Sequence, residues 1–167
     1  MKVQRFFLDL KKIFYQNKSI IIPKGYEIFL DEKRDFNLNK FFYKNVGLDH
    51  FWRDRLVWTD KEWLNYVSNL NFETWILKKG NDLIGYYEQE FHPSSNEVEL
   101  INMGILKEYR GKKFGSLLLS HSIKSAFLKN PERMWVHTCS LDHEYALKNY
   151  KSKGFKIFKE EEVDFLI

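Results

Sequence analysis

The chain has 167 residues, 44% hydrophobic and 30% charged, a composition that fits one globular domain and excludes disordered and fibrous classes. Its formal charge of +4 comes from 27 basic against 23 acidic side chains, mixed along most of the chain rather than gathered on a nucleic-acid-binding face. Cys139 stands alone, Asp9, Lys11 and Lys12 break any signal-like apolar run, and no window approaches the ~20 apolar residues that span a bilayer. A soluble cytoplasmic protein that binds neither membrane nor nucleic acid is therefore expected.

Val3, Phe6, Phe7, Leu10, Ile13 and Phe14 recur at helical spacing, which predicts an amphipathic helix over 2–16 within an N-terminal extension at about 1–22. Such a helix packs on its own domain or docks on a partner or membrane. Residues 26–30 read as a strand, and Phe36, Leu38, Phe41, Phe42 and Val46 mark a helix from Asp35 to Val46. A loop carrying Trp52, Arg53, Arg55 and Trp58 leads to a helix capped by Thr59 or Asp60 and running to Leu70. Residues 73–79 and 82–91 read as strands joined by the Gly80-Asn81 turn, and 97–105 as a third strand after Pro93–Asn96. A helix over 114–129, a strand over 133–139, a helix over 143–152 and strands near 155–159 and 162–167 complete the chain. Helices, an antiparallel meander and alternating strands and helices make an α/β sandwich around a mixed sheet, in a single domain over 1–167.

The segment Ile105–Leu119 combines a strand end, a basic loop with two glycines and a helix with an apolar face. A helix N-terminus presents free N–H groups and partial positive charge to a phosphate. Gly111 and Gly115 permit close backbone approach, while Arg110, Lys112 and Lys113 supply counter-charge; a solvated basic loop has the same spacing. This segment resembles the acyl-CoA loop of the GNAT superfamily, Arg/Gln-x-x-Gly-x-Gly/Ala, with Arg110 first, Lys113 in place of the middle glycine, and Gly115 last. Ala146, Tyr150, Gly154 and Phe155 match a second GNAT pattern in register, with His143 where asparagine is usual. The run His137–His143 with Ala146-Leu147 and Asn149-Tyr150, together with Tyr43, Val46, Gly47, Trp52 and Arg55, resembles a group of bacterial GNAT proteins of undetermined substrate.

The resemblance implies a GNAT-like fold: a mixed, mostly antiparallel twisted sheet flanked by helices. It also implies an N-acyltransferase moving an acyl group, commonly acetyl, from acyl-CoA to a primary amine of a small molecule or peptide in a ternary complex. The alternative is an acyl-CoA-binding regulatory module of the same fold without catalysis. The implied cofactor, acetyl-CoA or another acyl-CoA, would be held by the backbone of Met103, Gly104 and Ile105, by Arg110 to Ser116 including Phe114, and by His143, Asn149 and Lys153. The strand carrying Met103 and its neighbour are expected to splay and make room for the thioester. Tyr150 is the candidate acid for the thiolate, or a ring packed under the Gly-Phe turn. Glu99 is the candidate base or a solvated strand glutamate, with His137 as the other base. Simple alternation places Glu97, Glu99 and Ile101 on one face and Val98, Leu100 and Asn102 on the other. Trp52 and Arg55 are candidate acceptor-binding residues, with core packing as the alternative. His137, Cys139 and His143 lack metal-ligand spacing, so no metal is expected. Exposed strand edges leave a homodimer open.

Overall fold

The chain opens with a strand, not a helix. In the computed structural model, which describes residues 1–165, Lys2–Lys11 (β1) is extended and is followed by a single 3-10 turn at Lys12–Phe14. Its apolar residues mimic a helical period because both of its faces are covered. Leu8 and Leu10 sink into the main core, whereas Phe7 stands on the other face against Trp135, His137 and Phe158. Two neighbouring strands also satisfy its backbone on both sides, and that tertiary pairing overrides local periodicity.

The remaining elements follow the expected order: β2 (Tyr26–Leu30), α1 (Phe36–Gly47), α2 (Asp60–Val67), β3 (Phe72–Lys79), β4 (Asp82–His92), β5 (Glu97–Ile105), α3 (Phe114–Phe127), β6 (Arg133–Cys139), α4 (Ala146–Ser152) and β7 (Lys156–Asp164). Asp35 caps α1 by accepting from the Asn37 N–H, and Thr59 caps α2 by accepting from the Glu62 N–H. The two C-terminal strands read from the sequence are one continuous strand, β7, which pairs along β1; residues 166–167 of that reading lie outside the described residues. The sheet order is β2-β3-β4-β5-β6-β1-β7, with every neighbouring pair antiparallel except β5 and β6. That parallel pair is joined by α3, the crossover a parallel connection requires.

The helices divide the sheet into two faces. Leu118, Leu119, Ile123 and Phe127 of α3 and Tyr150 of α4 pack with Leu8, Leu100, Met134 and Val136 in the main core. On the opposite face α1 brings Phe42 and Val46 onto Ile76 and Tyr86. α1 seats on β5 at Gly104, where an added Cβ would stand 2.1 Å from Val46 Cγ1. Gly104→Ala should therefore push α1 off the sheet and cost about 1–3 kcal/mol, the usual penalty of overpacking. Urea denaturation measures this, and a variant as stable as the parent would mean that α1 does not seat on β5.

Candidate active site

The site begins where two strands part. β5 and β6 pair only from Glu97–Leu100 to Arg133–Val136, after which β5 continues to Ile105 and β6 to Cys139 unpaired with each other. A bulge causes the separation: Glu88 pairs with Asn102 but Gln89 with Leu100, leaving Ile101 as an extra residue. An extra residue bends and twists its strand locally. The bulge also overturns the simple alternation, because Asn102 now points away from Leu100 and donates to Glu88 Oε1 at 3.1 Å.

A cavity of about 1090 Å³ runs through this fork, walled by Leu100–Ile105 on one side and Val136–Cys139 on the other. At its basic end lie Met103, Gly104, Ile105, Arg110, Gly111, Lys113, Phe114, Gly115, Ser116, His143 and Asn149, all expected cofactor contacts. Lys112 and Lys153 are outside the cavity lining; the Lys112 ammonium sits 5.9 Å from the Tyr109 ring centre. Lys148 and Ser152, one turn apart on α4, line it and were not singled out in the sequence. Gly111 has φ +79 and Lys113 φ +66, so the position where a glycine is expected does require the left-handed backbone. A lysine there stores roughly 1–2 kcal/mol of strain at the start of α3. Arg110 donates from Nε to the Ile105 carbonyl at 3.1 Å and from Nη1 to Asp49 at 2.9 Å. The Arg110 guanidinium holds the Asp49 carboxyl below its ordinary range, and Nη2 is buried without a partner. That unspent donor at the basic end, with the unpaired edge of β5 beside it, fits a phosphorylated cofactor with an amide-bearing arm.

Past the fork the chemistry changes. Tyr150 lines the cavity but is only 7% exposed, and burial followed by the nearby Asp142 charge raises its phenol well above the ordinary value. Asp142 is fixed by Thr138 Oγ1 at 2.6 Å, the Cys139 N–H at 3.0 Å and Trp52 Nε1 at 3.1 Å. Trp52 thus ties the loop after α1 to the turn after β6, which makes it a positioning residue as well as part of the lining. His137 lines the fork as a solvent-exposed side chain packed on the Phe7 ring at 5.6 Å, and the desolvation this causes, with Arg5 next, lowers its pKa against the opposing pull of Glu99 and Asp142. Glu99 lies outside the cavity lining and is hydrogen-bonded to His92 Nε2 at 3.0 Å.

Arg55 reaches the cavity wall, but its head group turns inward. It pairs with the fully buried Glu88 at 3.0 Å and donates to Tyr66 Oη at 3.0 Å, with the rings of Tyr43, Trp58, Trp63 and Tyr66 centred 4.3–5.8 Å from its guanidinium carbon. Its charge is consumed by the fold. Val3 and Arg5 of β1 also line the cavity, a contribution hidden when that segment is read as a helix. Asp142 lay within the His137–His143 run but was given no role of its own; its signal was its place in the Ser-Leu-Asp turn that follows a strand. Among the described residues no helix is long and apolar enough to cross a membrane, and no cluster of three or more His, Cys, Asp or Glu is placed to hold a metal ion.

Comparison with known proteins agrees with this geometry. A GCN5-related N-acetyltransferase from Sphaerobacter thermophilus superposes with a TM-score of 0.72 at 10% identity, covering 95% of this chain and 49% of that one, so the chain spans about half the length of that relative. The ribosomal-protein-S18-alanine N-acetyltransferase of Escherichia coli gives 0.61 at 17% identity, covering 78% and 77%. An aminoglycoside acetyltransferase from an uncultured soil metagenomic sample, in complex with sisomicin, gives 0.65 at 13% identity, covering 78% and 88%. These likenesses concern the fold. Among curated proteins none matches the sequence. The sequence profile of the acetyltransferase (GNAT) family matches residues 26–155, which include the splayed strands, the basic loop and the Tyr150 helix. The chain belongs to the GNAT acetyltransferase family.

Proposed function

We propose that the protein is an N-acetyltransferase that moves an acyl group from acetyl-CoA to an amine by direct attack in a ternary complex. The observation that carries this reading is the fork itself: one continuous cavity joins a basic cradle to a wall of titratable side chains. Acetyl-CoA supplies the activated acyl group as a thioester. At the basic end the N-terminus of α3, Arg110 and Lys113 meet the phosphates, and the unpaired edge of β5 from Ile101 to Ile105 accepts the amide-bearing arm. As the amine nitrogen bonds to the carbonyl carbon the C–S bond breaks. The amine loses a proton to His137, and Tyr150 donates one to the departing sulfur. Glu99, on the neighbouring strand and facing the same way as His137, contributes charge that supports the imidazolium as it forms.

The pH dependence follows from the direction of the His137 shift. Desolvation where its ring meets the protein disfavours its cation, so the neutral base prevails above a pKa lying below the ordinary ~6.5. The groups facing it, Arg5, Glu99, Asp142 and Glu161, set the remainder of the shift. The acid limb of kcat/KM should therefore have its midpoint below about 6.5, and His137→Asn should abolish that limb together with most of the rate. A midpoint above 7, or a limb that persists in the variant, would remove His137 from the role of base.

A further inference from the structure

Four arginines line the cavity, and among the described residues three of them are ion-paired: Arg5 with Glu161 at 3.2 Å, Arg55 with Glu88 at 3.0 Å and Arg110 with Asp49 at 2.9 Å. Arg53 is the exception. It has no carboxylate in ion-pair contact among the described residues; its guanidinium carbon instead stands 5.5 Å from the Phe51 ring centre and 5.9 Å from that of Phe165. Those two rings are 6.2 Å apart and nearly perpendicular, at 86°. Phe51 is held at φ +59, a left-handed conformation that a bulky residue adopts at a cost, in order to present its ring there.

We infer that the amine acceptor carries a carboxylate, and that Arg53 is the residue that selects it. The inference rests on the N-acetyltransferase reading, and it gives the acceptor contact to Arg53 instead of Arg55, the arginine named from the sequence. Arg55 cannot take a ligand without abandoning Glu88, whereas Arg53 faces the same cavity with no ion-pair partner among the described residues. Aromatic rings close to a guanidinium shield its faces and leave its N–H edge, a planar fork that matches a carboxylate with two parallel hydrogen bonds. Asp54 and Asp164, the chain neighbours of Arg53 and Phe165, also line the cavity, which opposes a second carboxylate and favours a ligand that also bears an ammonium group. The combined pattern describes an amino acid with one free carboxylate. Its amine would enter the fork beside His137 and its carboxylate would rest on Arg53.

The test compares free amino acids with the matching amino acid amides, across the proteinogenic side chains, as acceptors for acetyl-CoA, with release of the CoA thiol as readout. The best amino acids should exceed their amides in kcat/KM by about 10–100-fold, as expected for losing a charge-assisted hydrogen-bonded pair. Arg53→Gln should bring that ratio close to one through KM, with CoA affinity and thermal stability unchanged. Amides acetylated as well as the free acids, or a ratio that survives Arg53→Gln, would overturn the inference while leaving the transferase reading in place. If no acceptor releases thiol, the transferase reading fails separately. Calorimetric titration of the protein–CoA complex with N-acetyl amino acids and their amides then decides the carboxylate site. Preference for the acids that Arg53→Gln removes supports it, and equal binding of acids and amides overturns it.

Discussion

Arg55→Ala should lower the stability of the protein by about 3–5 kcal/mol, the cost of breaking a buried ion pair from one side. Burial alone would lower the pKa of Arg55, but the Glu88 carboxylate more than reverses this, so the guanidinium is held charged. Removing it strands a carboxylate with no solvent exposure, left to Asn39, Tyr66 and Asn102, which donate at 2.6, 3.0 and 3.1 Å. The four rings around the guanidinium would lose their common contact as well. For a chain of this size the loss corresponds to a Tm lower by roughly 10 °C, measurable by calorimetry. Replacing the pair together, Arg55→Met with Glu88→Leu, should recover most of that stability, because apolar groups of similar volume need no partner. A loss below about 1 kcal/mol for the single variant would show that water, not Arg55, satisfies Glu88.

Tyr150→Phe should reduce kcat by about 10²–10⁴-fold, the range for losing a positioned general acid, and leave CoA affinity unchanged. The variant keeps the ring and its packing against Phe155, whose centroid lies 5.9 Å away, so the fold should not respond. Burial keeps the Tyr150 phenol protonated throughout the working pH range. Its proton is thus always present, and in the proposed role transfers only when negative charge accumulates on the departing sulfur. Steady-state kinetics with any amine that turns over would measure the effect, and an unchanged kcat would take Tyr150 out of the chemistry.

Most of the sheet was legible because its signals are local. The strand at 97–105 and the strand at 133–139 occur with the bounds read from the sequence, since each is a short apolar-rich run closed by turn residues or a proline. Thr59 caps its helix as its residue type demands, and the glycine-and-lysine loop leads into α3 where expected. What the sequence could not show depends on distant partners. β1 looks helical until β6 and β7 are seen to flank it, and Asn102 changes face only because Glu88 and Gln89 are out of step with β5. Arg55, the arginine expected at the acceptor, and Arg53 are two positions apart in sequence; only the buried position of Glu88 distinguishes them. Glu99 satisfied strand alternation, but its hydrogen bond to His92 and its place outside the lining of the cavity that His137 lines depend on packing that alternation does not encode.

Calorimetric titration with CoA, using ATP as the control, decides whether the basic end of the fork is a CoA site, as proposed. CoA should bind saturably in the micromolar range, ATP should show no comparable binding, and Arg110→Ala should weaken CoA affinity about 10–100-fold, the cost of a lost charge-assisted hydrogen bond. Absence of CoA binding by the parent protein, or equal affinity for ATP, would contradict the proposed CoA site.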